Sequence, residues 1–204
     1  MDKKTVNVAV LVSGGGTNLQ ALIDFSLAGK LESGKIVKVI ASNQGAYALE
    51  RAKKANIQTA VVQRKGITQS EFEKGIIDEL ENCNAQVIVL AGFMCILSKD
   101  FTDKYANRII NVHPSLIPSF CGQGFYGLRV HEQALKYGVK VTGATVHFVN
   151  EIPDGGKIIM QKAVAIRDND TPEKLQKRVM QQAEWKILPA SLEKVCKAIL
   201  KGEL

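Results

Sequence analysis

VNVAVLVSGGGTNLQALI, Val6 to Ile23, is the stretch that decides the fold. Its first seven residues are almost continuously apolar and rich in valine, which suits a strand buried on both faces. Ser13 to Asn18 then carries the chain through three glycines into LQALIDFSLAGK, whose apolar spacing is helical. The same alternation continues downstream. KIVKVIASN reads as a strand, YALERAKKAN as a helix, TAVVQ as a short strand, SEFEKGIIDELENCN as a helix and AQVIVLAGFM as a strong strand. A helix around SKDFTDKYAN leads into the strand RIINVH. This order predicts an α/β fold: a single domain built on a doubly wound, mostly parallel sheet with helices on both faces.

Beyond His113 the pattern changes. PSLIPSFCGQGFYG is dense in proline, glycine and aromatics and reads as a long surface loop. RVHEQALKYG is a helix ended by Gly138, and VTGATVHFV and KIIMQKAVAI are two further strands joined through NEIPDGG. The tail opens at Asp170-Thr-Pro-Glu, with Pro172 in a first helical turn, and stays amphipathic to the end with an interruption expected near Pro189. No repeat, linker or low-complexity segment divides the chain.

Composition narrows the class. The 204 residues suffice for one large core, and 46% hydrophobic with 23% charged residues is ordinary for a globular protein. No apolar run reaches the roughly 18 residues needed to span a bilayer. The start has a short basic flank followed by a strand and glycines, not the longer apolar stretch of a signal peptide, so a cytoplasmic protein is expected. Cys83, Cys95, Cys121 and Cys196 are widely spaced, with no zinc-like cluster, and read as free thiols. The formal charge of +7 is spread along the chain without interleaved aromatics. That favours attraction of small anionic substrates over nucleic-acid binding.

Three places carry chemistry. Ser13-Gly-Gly-Gly-Thr-Asn18 lets the backbone approach a ligand and presents helix N–H groups to an anion, or else it is a tight turn and nothing more. It lacks the Gly-Lys-Ser/Thr of a Walker A loop, and Leu19 stands where a dinucleotide fingerprint needs its third glycine, so a phosphate monoester fits better than NAD. Asn111 and His113, one residue apart on a strand, point to the same face at the carboxyl end of the sheet, where such folds bind ligands. Asn111 can donate to an oxyanion and His113 can move a proton, a pairing suited to acyl transfer without a covalent intermediate. Asp154, in Ile152-Pro-Asp-Gly-Gly156, is an ordinary turn residue or, folded against His113, a carboxylate that orients the ring and raises its pKa.

The segments VLVSGGGTNLQALI, VIVLAGFMCIL, IINVHPSLIPSF, GATVHFVNEIPDGG and QQAEWKILP together resemble the phosphoribosylglycinamide formyltransferases, folate-dependent enzymes of purine biosynthesis. The resemblance runs over nearly the whole chain. It implies transfer of a formyl group from 10-formyltetrahydrofolate, as co-substrate and without a metal, to the amine of glycinamide ribonucleotide. It places the catalytic asparagine, histidine and aspartate on Asn111, His113 and Asp154, and the phosphate contacts on Gly16, Thr17 and Asn18. A ribose-binding glutamate falls on Glu184, and the folate segment on Met94, Cys95, Ile96 and Leu97, with Asn111 also facing the folate. The implied division is a nucleotide-phosphate half over about 1–100 and a folate-binding, catalytic half over about 101–204. The partners implied are the two small-molecule substrates, with no nucleic acid and no membrane, for a monomer or homodimer. Cys95 stands where the family often has arginine, and Gln69 where an arginine would hold the folate tail, so Arg64 or Lys65 is expected to substitute. The Cys121 to Leu128 loop is longer than the usual version.

His147, in VHF on an expected strand, either faces the site or satisfies a buried partner, with the structural role favoured, and His131 reads as a surface residue at a helix start. Rival readings are a 10-formyltetrahydrofolate deformylase, a methionyl-tRNA formyltransferase, a non-catalytic phosphate-binding module and a nicotinamide oxidoreductase. The length expected for the first two disfavours them, and ASNQ, without an acidic residue for the ribose, disfavours the last.

Overall fold

A computed structural model describes residues 4–204; the basic flank at Met1 to Lys3, part of the signal-peptide reading, lies outside the described residues. Its elements run β1 (Val6–Val12), α1 (Thr17–Leu27), β2 (Gly34–Ala41), α2 (Ala48–Lys54), β3 (Gln58–Val61), α3 (Gln69–Asn82), β4 (Val87–Leu90), α4 (Lys99–Lys104) and β5 (Ile109–His113). There follow α5 (Leu128–Tyr137), β6 (Val141–Phe148), β7 (Ile158–Ala165), α6 (Pro172–Val179), a π turn (Met180–Glu184) and α7 (Trp185–Lys201).

The strands form one seven-stranded sheet in the order β3-β2-β1-β4-β5-β6-β7. β1 to β5 are parallel and β6 and β7 run antiparallel, closing the sheet as a hairpin. Alternation on β1 shows how the sequence winds helices on both sides. Val6, Val8, Val10 and Val12 pack against the face holding Leu19, Ile23, Leu188 and Leu192, while Ala9 and Leu11 pack against Phe72, Ile76 and Phe101 on the other. Both faces are apolar because both are covered.

Two local signals start and stop helices. Thr68 and Glu71 make a reciprocal capping box at α3. Gly138, with φ of 83°, ends α5 in the left-handed conformation. The expectation near Pro189 is corrected: Pro189 lies inside α7, and the irregularity falls earlier, in the π turn. The proline therefore removes one rung of the ladder without ending the helix. All four cysteines are unpaired. Among the described residues no helix is long and apolar enough to cross a membrane.

The strand order sets the location of any ligand. β1 has β2 on one side and β4 on the other, so the chain departs in opposite directions from the carboxyl ends of β1 and β4 and leaves a crevice between their loops. Ser13 ties the two loops together: its N–H donates to the Gly92 carbonyl at 3.2 Å and its Oγ accepts from the Met94 N–H at 2.9 Å.

Candidate active site

β5 ends beside that crevice. Its register pairs Asn111 with His147 and His113 with Thr145 on β6, so four polar side chains share one face of the strand pair. The β6–β7 connection then folds Asp154 onto them. His113 Nδ1 lies 3.3 Å from Asp154 Oδ2, and His147 Nε2 lies 3.5 Å from Asp154 Oδ1. The Gly122 N–H donates to Asp154 Oδ2 at 2.9 Å, which fixes the carboxylate from the loop side.

The turn that delivers Asp154 depends on its glycines. Asp154 itself sits at φ 57°, in the left-handed region that aspartate tolerates better than most residues. A Cβ at Gly156 would lie 1.7 Å from the Phe148 carbonyl oxygen, an impossible approach. Glycine at 156 is thus what permits the hairpin to close over the histidines.

Hydrogen bonds fix the protons on both rings. His113 Nε2 faces the Phe120 carbonyl at 2.8 Å; a carbonyl only accepts, so Nε2 carries the hydrogen and Nδ1 is the basic atom, directed at Asp154. His147 Nδ1 likewise donates to the Phe148 carbonyl at 2.8 Å, leaving Nε2 to accept from Asn111 Nδ2 at 3.3 Å. One amide hydrogen of Asn111 is thereby engaged and the second remains for a ligand oxygen.

The electrostatics correct one expectation. Burial is the largest influence on His113, which is 4% exposed, and it outweighs the Asp154 carboxylate and the Phe120 carbonyl, both of which favour the imidazolium. The ring therefore sits below the ordinary histidine pKa, not above it. Burial also acts to raise Asp154, but the neighbouring His147 and His113 rings and the Gly122 amide prevail and hold its carboxyl below the usual range. Asp154 is the charged member, and His113 the neutral one whose protonation it favours.

At the neighbouring loop, Gly16 caps α1 at φ 72°, and a Cβ there would meet Ala48 Cα at 2.8 Å. The carbonyls of Gly14 and Gly15 are held from behind by the Ala48 N–H and Arg51 Nε. The first-turn amides of α1, beginning at Thr17, have no acceptor within the helix, a geometry that can hold an anion. The Asn18 side chain does not point there. Its Nδ2 donates to Glu184 Oε2 at 2.8 Å, while its Oδ1 is buried without a partner among the described residues. Glu184, on the π turn, is 6% exposed, and burial pushes its carboxyl up to about 7 against the opposing Asn18 amide. The fold therefore brings together two residues 166 positions apart that the sequence reading assigned to phosphate and ribose.

Met94, Cys95, Ile96 and Leu97 follow β4, whose Leu90 pairs with Asn111, so their loop starts beside β5. Met94 and Ile96 are 58% and 73% exposed, an apolar surface at the crevice, whereas Leu97 is buried. Part of this backbone is already engaged: Ser13 Oγ holds the Met94 N–H, and Gln69 Nε2 donates to the Ile96 carbonyl at 2.9 Å. Arg64 lies against Phe72 and donates to Gln69 Oε1, which places it near the Ile96 rim; Lys65 is exposed.

The other two histidines are placed by the structure, His147 at the alternative facing the site and His131 against expectation. His147 belongs to the cluster; the alternation of Thr145 and His147 mirrored that of Asn111 and His113, but only the strand register aligned the pairs. His131 is fully buried, not at the surface, and neither ring nitrogen has a partner among the described residues. It packs on α5 near His113, and burial holds its pKa down to about 4.

Comparison with known proteins identifies the family. Residues 6–192 match the formyl transferase family. The phosphoribosylglycinamide formyltransferase of Haemophilus influenzae is 42% identical over 183 residues, which is 89% of this chain and 83% of that protein. The trifunctional purine biosynthetic protein adenosine-3 of Homo sapiens is 45% identical over 196 residues, 95% of this chain but 19% of that protein, so the chain spans about a fifth of its length. The glycinamide ribonucleotide transformylase 1 structure from Symbiobacterium toebii superposes with a TM-score of 0.88 at 35% identity, covering 95% of this chain and 89% of that one.

Proposed function

The chain belongs to the formyl transferase family, and from that premise we propose that it transfers the formyl group of 10-formyltetrahydrofolate to the amine of 5-phosphoribosylglycinamide in purine biosynthesis. The observation that carries this reading is the Asn111–His147–Asp154–His113 cluster, placed at the same sheet edge as a glycine loop joined to a buried glutamate. An anionic ribonucleotide and an acyl donor can meet between them.

The first-turn amides at Gly16, Thr17 and Asn18 hold the substrate phosphate, and Glu184 accepts from the ribose hydroxyls. The exposed apolar run Met94–Leu97 takes the folate ring system, with Arg64 within reach of its acidic tail. The division of labour follows the chain only loosely, because this folate segment precedes residue 100. The amine lone pair attacks the formyl carbon while the carbonyl π electrons move to oxygen. Asn111 donates its second amide hydrogen to that oxyanion. The ammonium proton passes to the His113–Asp154 pair, where protonation of Nδ1 completes an ion pair. Collapse re-forms the carbonyl and breaks the carbon–nitrogen bond to the folate, whose nitrogen takes a proton. A base held below its ordinary pKa by burial is neutral at pH 7 and ready to accept this proton. The four unpaired cysteines support a cytoplasmic setting.

The test follows loss of 10-formyltetrahydrofolate with and without glycinamide ribonucleotide, for the wild type and His113→Ala. Turnover that requires the ribonucleotide and collapses in the variant is expected. Equal turnover without it would identify a deformylase and overturn the proposal.

A further inference from the structure

We propose that Gln161, acting through Thr145, is a positioning residue that sets the proton on His113. The inference rests on the role given to His113 above. His113, Thr145 and Gln161 are successive cross-strand neighbours on β5, β6 and β7, a row of polar side chains crossing the sheet. Thr145 is fully buried, whereas Gln161 lies at the solvent side on the last strand.

Together they clamp the start of the loop that follows β5. Thr145 Oγ1 donates to the Ser115 carbonyl at 2.7 Å and accepts from the Ile117 N–H at 3.1 Å. Gln161 Nε2 donates to Thr145 Oγ1 at 3.0 Å and to the Ile117 carbonyl at 2.9 Å. Leu116 between them lies over Gly143, so closely that a Cβ there would stand 2.8 Å from its Cδ2. Ser115 Oγ continues the hold by donating to the Ser119 carbonyl.

The next residue is Phe120, whose carbonyl is the acceptor for His113 Nε2. An oxygen at that point keeps the hydrogen on Nε2 and so directs the basic Nδ1 at Asp154. If the loop is released, the ring loses its reason to prefer this tautomer. It also loses one of the two groups that favour its charged form, so its affinity for a proton falls. Gln161 touches no reacting atom. Its amide matters because the Ser115–Ile117 segment, with carbonyls and an N–H turned toward β6 and β7, has these two side chains as its anchors.

The experiment compares the wild type with Gln161→Leu, which removes both donors, and Gln161→Lys, which keeps a donor of similar reach. Long-range proton–nitrogen NMR spectra of the His113 ring are recorded across pH, with kcat and KM measured over the same range. In the wild type the Nε2–H form is expected. In Gln161→Leu both tautomers are populated, the ring titrates at lower pH, and kcat falls about tenfold, a fraction of what proton transfer contributes, with KM for the ribonucleotide within about twofold. Gln161→Lys restores the wild-type spectrum and rate. An unchanged tautomer and titration in Gln161→Leu would overturn the proposal, even if the melting temperature fell. The spectra need no turnover. A wild type that fails to formylate the ribonucleotide would therefore sink the proposed function while the tautomer still decides the clamp.

Discussion

His131 makes this protein sensitive to mild acid, by an amount that can be worked out. Its ring is fully buried with no hydrogen-bond partner among the described residues, and its pKa is held at about 4 against an ordinary 6.5. The unfolded chain therefore takes up a proton at pH values where the folded one does not, and stability is lost as pH falls from 6.5 through 4. The full difference of about 2.5 pKa units corresponds to about 3 kcal/mol, of which roughly 2.5 kcal/mol is gone by pH 4.5. His131→Leu removes the titrating group and keeps an apolar side chain at the site. Urea unfolding of both proteins at pH 7.5 and pH 4.5 gives two stability losses, and that of the variant should be smaller by roughly 2.5 kcal/mol. Other titrating groups, His113 and Asp154 included, act in both proteins and largely cancel. Equal losses would refute the reasoning, because a ring that protonates in the folded state without penalty cannot distinguish them.

Other perturbations have equally definite outcomes. Asn111→Ala should lower kcat by about 10² to 10³, the cost of one oxyanion donor, with an unchanged circular dichroism spectrum. Gly156→Ala cannot be accommodated against the Phe148 carbonyl and should displace Asp154; loss of formyl transfer with the sheet intact by hydrogen exchange is expected. Gly16→Ala adds a Cβ at positive φ against Ala48 and should weaken ribonucleotide binding by calorimetry and cost more than about 1 kcal/mol of stability. Glu184, raised from 4.5 to about 7, costs the folded state stability as pH rises through that interval; Glu184→Gln should gain about 3 kcal/mol at pH 7.5 in denaturant melts while losing affinity for the ribonucleotide.

The alternation of strands and helices was legible because covered parallel strands must be apolar on both faces, as Val6 to Val12 are. The glycines of 14–16 and 155–156 were legible as turns, and Asn111 and His113 as a pair, because a strand repeats every two residues. What the sequence withheld depends on register and distance. His147 joined the site only when β6 aligned against β5, and nothing local distinguishes that alignment from a shift by one residue. His131 lies one and three positions from buried Val130 and Ala134 on the inner face of α5, but a polar residue in the first turn of a helix looks solvent-facing until its neighbours are in place. The sign of the His113 shift was missed for a related reason: the charge beside it was visible in the sequence, whereas the burial that outweighs it was not.

The closed contact between Asn18 and Glu184 has a thermochemical consequence. A carboxyl titrating at about 7 is only partly ionised in neutral solution, and ribose hydroxyls donating to it would favour the ionised form. Ribonucleotide binding near neutrality should then release roughly half a proton to the buffer. The heat of binding would vary in proportion to the ionisation enthalpy of the buffer chosen, and the apparent affinity would increase with pH across the same interval, before any formyl group is transferred.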